Sequence, residues 1–384
     1  MQLKKIYLDN AATTQVDERV LEEMQRVFLE NYGNASSLHS FGQNALEEME
    51  KSREKIARIL GAKPKEIYFT SGGTESNNAA IKGIMNLNEK NKLIVSSIEH
   101  PSIIKTAEYL KEKGKKVFFA QVNEKGIIKI DELEKQIDSN TSLISVMHSN
   151  NEIGSIQPIK EIAEMCETKK VLFHSDIVQS TAKIKIDLNK LNLNLASVSG
   201  HKFYGPKGVG LLFVKEGTKI EPLIHGGGQE KKIRSGTENI PGIVGLAKAL
   251  ELTEENREQE MNRQEKLRDK LIKGLNEIKK SKLNGHETKR LANNVNFSFF
   301  GVEGEALITL LDFEGIQAST GSACSSKNLK ISHVLEAIGL DHIWAHGSLR
   351  LSLGKNNTEK EIDYTLEKIP LVVEKLRKMS SVKI

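Results

Sequence analysis

Between residues 66 and 214, short apolar runs alternate with stretches of helical period, and few folds accommodate that rhythm. "EIYFT" leads into the helix-like "SGGTESNNAAIKGIM", and "KLIVSSI" leads into "HPSIIKTAEYLKEKG". "KVFFAQV" follows, then "SLISVMH" before "IKEIAEMCETKK", while "VLFHSD", "LASVSG" and "GVGLLFV" are further strand candidates. Strands alternating with amphipathic helices predict an α/β fold with a mostly parallel central sheet flanked by helices. In such sheets ligands sit beyond the carboxyl ends of the strands. Those ends carry chemistry here: Thr74 after "EIYFT", His100 after "KLIVSSI", Asn151 after "SLISVMH", Asp176 after "VLFHS", and Ser199 and Lys202 after "LASV".

At 384 residues the chain exceeds one small core, which predicts two domains. Before the alternating region, residues 17–31 put Val20, Met24, Val27 and Phe28 on one helical face, and "NALEEMEKSREKIARILG" is a second helix stopped by Gly61. Residues 239–280 read as one or two long charged helices that bridge the domains. Beyond them, "NNVNFSFF", a helix from Glu303, "SLRLSLG" and a final helix from Thr358 suit a smaller α+β domain. The expected division is 15–260 for the large domain, with 1–14 and 261–384 forming the small one, which carries a loop at 319–331.

Totals exclude several classes. No run of eighteen apolar residues predicts a membrane span, and "MQLKKIYLDNAATT" lacks the apolar stretch of a secretion signal. Two cysteines, Cys166 and Cys324, make no disulfide framework and fit a reducing cytoplasm. The net charge of +5 comes from Lys scattered among Glu on solvated helix faces, so direct nucleic-acid binding is not expected. Cys166 falls in the apolar pattern of "IAEMCET" and reads as core. His342 and His346 in "HIWAH" have metal-ligand spacing but no evident third ligand, so no metal site is expected.

The stretch "SGHKFYGPKGVG" poses the central question of what Lys202 does. Gly200 and Gly205 have the spacing of a nucleotide-binding loop, but Pro206 follows and removes an amide that such a cradle needs. The alternative is a Schiff-base lysine for pyridoxal 5'-phosphate. That chemistry requires an amine, a phosphate cradle, an acid beside the pyridine nitrogen and a ring-stacking group, and the strand ends offer all four.

The motifs "YLDNAATT", "GNASSLH", "FTSGGTESNN", "EHPSI", "NNEIG", "SDIVQS", "SGHKFYGPKG", "GGGQEKKIRSGTEN", "GSACSS" and "RLSLG" together resemble those of the NifS/IscS-type cysteine desulfurases, class V of the fold-type I pyridoxal-phosphate enzymes. The resemblance runs in order from about residue 7 to about residue 355. It implies that Lys202 binds the cofactor covalently and then transfers protons, and that Asp176 pairs with the ring nitrogen. A charge pair near 4 Å is worth ~4 kcal/mol at an effective dielectric of about 20, enough to keep the ring cationic. By the same resemblance His100 stacks on the ring and Gln179 donates to its phenolic oxygen. Gly73, Thr74, Ser199 and His201 hold the phosphate, and Thr237 reaches it from the neighbouring subunit of a homodimer with shared active sites. Arg350 clamps the substrate carboxylate, Asn151 contacts cofactor and substrate, and Asn34 is a further substrate contact.

Cys324 separates a desulfurase from an aminotransferase. It lies in "STGSACSSKNLKIS", a Ser- and Gly-rich loop whose stretch from Gly321 to Lys330 has a contour of about 34 Å. The resemblance implies that its thiolate takes sulfur from L-cysteine, leaving L-alanine and a persulfide. The sulfur then passes to an iron–sulfur scaffold or another acceptor, for cluster assembly or for tRNA or cofactor thiolation. A selenocysteine lyase, another class V aminotransferase and a non-catalytic scaffold of the same fold are the alternatives. Two departures from the family pattern stand out: Ala35 replaces a common proline, and Ser175, Ile177 and Val178 surround Asp176, with Ile177 expected to add bulk near the cofactor.

Overall fold

The computed structural model describes residues 5–87, 89–320 and 331–382. Cys324 therefore lies outside the described residues, with most of the expected 319–331 loop. The centre is a seven-stranded sheet in the spatial order Ile67–Thr70, Gly210–Val214, Leu195–Ser199, Leu172–Asp176, Thr141–Ser145, Lys92–Ser96 and Lys116–Ala120. The last five run parallel to one another, and Gly210–Val214 is antiparallel to both its neighbours. The expected sheet is thus present, with "GVGLLFV" opposed to the rest. The physical reason is length: the residues between Ser199 and Gly210 hold only a short 3-10 turn, too little chain for a parallel crossover of a dozen residues or more.

Alternate residues of the strands feed opposite faces. Leu93, Val95, Leu143, Leu195 and Leu212 pack with Ile81, Ile84 and Met85 of the helix Gly73–Leu87. Ile94, Ile144, Phe173, Ala196, Leu211 and Phe213 join the larger cluster, which also takes Ile56, Leu246, Leu250 and Cys166. A separate cluster gathers Ile6, Leu8, Leu271, Phe297, Leu311, Leu349, Leu351 and Ile369 around an antiparallel sheet of Ser281–Leu283, Asn294–Phe299 and Ser348–Ser352. Val334, Leu335, Ile338 and Ala345 join the larger cluster, although they lie between small-cluster residues in sequence.

Local signals behave as their chemistry dictates. Asp17 caps the helix Glu18–Glu30, and Gly61 ends the helix Ser40–Leu60 in the left-handed conformation at φ 63°. Two expectations are corrected. The bridge over 239–280 is two helices of opposite character: Ile240–Glu255 is apolar and buried, and only Arg257–Asn276 is largely charged. Phe28, expected on the buried face with Val20 and Val27, is 59 % exposed. Periodicity assigns an apolar face but does not say how far round the helix its neighbours reach.

Two glycines shape the rim of the sheet. Gly72 sits at φ 146°, which side-chain-bearing residues rarely adopt. At Gly210 an added Cβ would lie 2.4 Å from the Val198 carbonyl oxygen and 2.7 Å from the Gly72 Cα. Only a glycine there lets the turn before helix Gly73–Leu87 settle onto the strand ends.

A buried ion pair pins a neighbouring turn to the same rim. Arg53 donates to both carboxylate oxygens of Glu230, at 2.9 and 2.7 Å, and to the Ile67 carbonyl at 2.7 Å. Glu230 also accepts from the Phe69 amide at 2.7 Å. The pair fixes a run with positive φ at Glu230, Lys231 and Lys232 (46°, 55° and 69°), each costly for an L-residue. Removing one partner leaves an uncompensated buried charge, so Arg53→Ala should cost about 3–5 kcal/mol in the urea-unfolding free energy. A loss below about 1 kcal/mol, the range of an exposed pair, would contradict that assignment.

Candidate active site

The strand ends open onto a cavity of about 550 Å³ lined, among others, by Gly73, Thr74, His100, Asn151, Asp176, Gln179, Ser199, His201, Lys202 and Arg350. Residues from five strand ends and from the smaller sheet thus meet in one space. Lys202 ends the turn Gly200–Lys202, directly after its strand. Its Nζ donates to the carbonyls of Ala11 at 2.8 Å and Ala12 at 2.6 Å, so "LDNAATT" closes one wall. The Gln179 amide nitrogen shares the Ala11 carbonyl at 2.9 Å, and its Oε1 is buried without a hydrogen-bond partner among the described residues.

Asp176 is buried at the end of its strand and held by two N–H donors. The Val178 amide reaches Oδ1 at 2.9 Å and Asn77 Nδ2 reaches Oδ2 at 2.8 Å. Asn77 Nδ2 also donates to Ser102 Oγ at 2.9 Å, and Ser102 Oγ lies 2.8 Å from His100 Nδ1. Because Ser102 Oγ already accepts from Asn77, its hydroxyl hydrogen is free for His100 Nδ1, which also accepts from the Ser102 amide at 3.2 Å. Burial lowers the His100 pKa most, Asp176 raises it, and Lys202 and His333 lower it. With Nδ1 accepting from the Ser102 amide, the ring donates from Nε2.

His201 stays neutral too. Burial first, then the charges of Lys202 and Lys207, push its pKa down to about 4, and Nδ1 lies 3.1 Å from Thr13 Oγ1. Two buried acids, Glu152 on the cavity lining and Glu99 off it, are held in the protonated direction. Burial raises Glu99 well above the usual carboxyl range despite a 2.6 Å bond from the Met147 amide. Burial likewise raises Glu152, which accepts from the Ser332 hydroxyl at 2.5 Å.

Arg350 comes from the strand Ser348–Ser352. Its guanidinium donates to the Asn151 carbonyl at 3.1 Å and pairs with Asp9 at 2.6 Å, while Nε is buried without a partner among the described residues. These two contacts hold the guanidinium oriented at the cavity wall. The first turn of helix Gly73–Leu87 adds backbone N–H groups without intrahelical acceptors at Gly73 and Thr74, a setting that favours anions. The Glu75 carboxylate at this end is balanced by Arg234 at 2.9 Å.

The aminotransferase class-V family matches this chain over residues 6–365. The cysteine desulfurase IscS of Methanosarcina thermophila is 52% identical over 379 residues, covering 98% of this chain and 94% of that protein. The cysteine desulfurase IscS of Clostridium botulinum strain Hall is 50% identical over 382 residues, covering 98% and 96%. The chain belongs to the class V aminotransferases, among the NifS/IscS-type cysteine desulfurases. Among solved structures, a NifS-like protein superposes with a TM-score of 0.92 at 43% identity, over 97% of this chain and all (100%) of that one. SspA in complex with cysteine superposes with a TM-score of 0.81 at 37% identity, over 91% and 98%.

Against this family frame, two expected site residues do not line the cavity. Asn34 is exposed, with its side-chain oxygen turned onto the Ser36 amide at 2.9 Å. Thr237 is exposed on the segment that follows Arg234. Ile177 is fully buried in the larger apolar cluster, and Val178 lines the cavity instead. Cys166 is core as expected, its thiol pushed up to about 12 by burial. His342 and His346 bring their Nε2 atoms to 3.3 Å, and no group of three or more metal-ligating side chains occurs among the described residues. No described helix is long and apolar enough to cross a membrane. Sequence reading passed over Asn77, Asp9 and Lys183; the first two stand inside the quoted motifs "FTSGGTESNN" and "YLDNAATT", which was their available signal.

Proposed function

We propose that the protein is a cysteine desulfurase whose cavity takes pyridoxal 5'-phosphate and L-cysteine. The observation that carries this reading is the convergence of Lys202, Asp176, His100 and Arg350 on one cavity. The residues present fit the cofactor. An acid held by two N–H donors suits a protonated ring nitrogen, and the start of helix Gly73–Leu87 suits a phosphate. At Gly73 an added Cβ would already touch Val178 Cγ2 at 3.0 Å, so a side chain there would crowd the cradle. When bound, the cofactor supplies an electrophilic carbon for the substrate amine and a ring that takes up the electron pair released at the substrate α carbon.

The resemblance implies the roles, and the cavity lining supports most of them. Lys202 holds the cofactor covalently, and its amine then moves the proton at the α carbon. Asp176 would pair with the ring nitrogen and keep it protonated, His100 would stack on the ring, and Gln179 would donate to its phenolic oxygen. Gly73, Thr74, Ser199 and His201 hold the phosphate, with Thr237 supplied by the neighbouring subunit of a homodimer. Arg350 and Asn151 would orient the substrate carboxylate, and the resemblance adds Asn34 as a further contact. The Cys324 thiolate attacks the substrate sulfur. The carbon–sulfur bond breaks with its electron pair left on the substrate carbon, a proton completes L-alanine, and Cys324 retains the sulfur as a persulfide. An iron–sulfur scaffold or another acceptor protein then takes that sulfur. The two units, 15–260 and 1–14 with 261–384, are the walls of this site, and the cytoplasm is its place of work.

With cofactor, L-cysteine and a thiol reductant, the purified protein should form alanine and sulfide in equal amounts. Consumption of a 2-oxo acid with no sulfide would identify an aminotransferase instead.

A further inference from the structure

Lys183 closes the turn that follows Asp176 and has no part in the roles above. Its Nζ donates to the main-chain carbonyl of Gln179 at 3.0 Å and to that of Lys202 at 3.3 Å. One ammonium group therefore joins the turn bearing Gln179 to the turn bearing Lys202. Lys183 and Lys202 also line a second cavity, of about 150 Å³, in common.

The charges around that second cavity are mostly spoken for. Asp17 pairs with Arg19 and Lys355, Glu260 with Arg263, and Arg257 with Glu254. The Tyr204 hydroxyl accepts from the Lys355 amide, and burial pushes its pKa up to about 12. No carboxylate pairs with Lys183 among the described residues, so its charge acts on what it touches. Loss of water and then the charge of Lys202 push the Lys183 ammonium down to about 7. The same positive field reaches His201, on the turn of Lys202. Two amines that share one enclosed region each make it harder for the other to hold a proton.

We propose that Lys183 is a positioning residue for Lys202: it clamps the Lys202 turn to the Gln179 turn, and its positive charge disfavours a proton on the Lys202 nitrogen. This rests on the reading of Lys202 as the cofactor lysine. A surface lysine would have neither effect. The clamp and the charge are separable, because an amide at position 183 can donate to a carbonyl without carrying charge.

The test is a pH titration of the bound cofactor's absorbance in the holoenzyme, beside Lys183→Arg, Lys183→Gln and Lys183→Met. Loss of the charge should move the titration midpoint up by about one pH unit, a tenfold change in proton affinity, in both the Gln and Met variants. The Arg variant, whose charge is permanent, should titrate no higher than the parent. Cofactor retention on dialysis should fall most in Met, which loses the clamp as well. A midpoint unchanged in Gln and Met, with urea-unfolding midpoints showing both folded, would overturn the proposal. So would an Arg variant shifted as far as Met. A parent protein with no titrating chromophore would overturn the reading of the cavity itself, a failure distinct from an unshifted midpoint.

Discussion

Lys202→Ala should lower desulfuration at least about a thousandfold, the upper range for loss of a group that is both covalent anchor and proton carrier. The fold should survive, because the lost bonds to the Ala11 and Ala12 carbonyls come from one partly buried side chain at the cavity wall. Asp176 keeps its donors Val178 and Asn77 in the variant, so the cavity should still admit the cofactor without covalent attachment. Borohydride reduction followed by peptide mapping separates the two states. The parent should carry the cofactor on the Lys202 peptide, and the variant should carry none. A variant that keeps more than about a tenth of its turnover would show that another amine does this work.

Cys324→Ala should be nearly as severe, and different in kind. Sulfide release should fall about a hundredfold or more, while the absorbance of the bound cofactor and its response to added cysteine stay as in the parent. The expected kinetic signature is a loss in kcat with little change in KM, since Arg350 and Asn151, proposed to orient the substrate carboxylate, are untouched. Full sulfide release by this variant would remove Cys324 from the mechanism. The contrast between the two variants matters more than either number, because one loses the anchor and the other loses only the acceptor.

What could be read from the chain follows the rule for parallel sheets. The apolar runs mark the strands, each polar residue just past a run marks a carboxyl end, and those ends meet in the cavity. Side-chain links between ends were not legible. Asn77 bridges Asp176 and Ser102 only once the start of helix Gly73–Leu87 lies beside the start of helix Pro101–Glu112. Asp9 and Arg350 meet from positions 341 residues apart, because Asp9 bridges to Ser352 at the end of the strand that carries Arg350. Lys183, a lysine after a turn, has the local pattern of a surface residue, and only the fold sets it against the Lys202 carbonyl. The bridge helix Ile240–Glu255 was misread because the charged run of its successor dominates the composition of 239–280, whereas its own buried face includes Ile243, Val244, Leu246 and Leu250. Ile177 was misjudged because adjacency to Asp176 in sequence does not set side-chain direction at a strand end; it turns into the core and leaves Val178 at the cavity.

The most direct measurement is mass spectrometry of the cofactor-loaded protein after brief exposure to L-cysteine without reductant. The account predicts one added sulfur on the peptide that contains Cys324, none on the peptide of buried Cys166, and alanine in solution in matching amount. Alanine formed while the Cys324 peptide stays unmodified, or sulfur found on Cys166 instead, would contradict it.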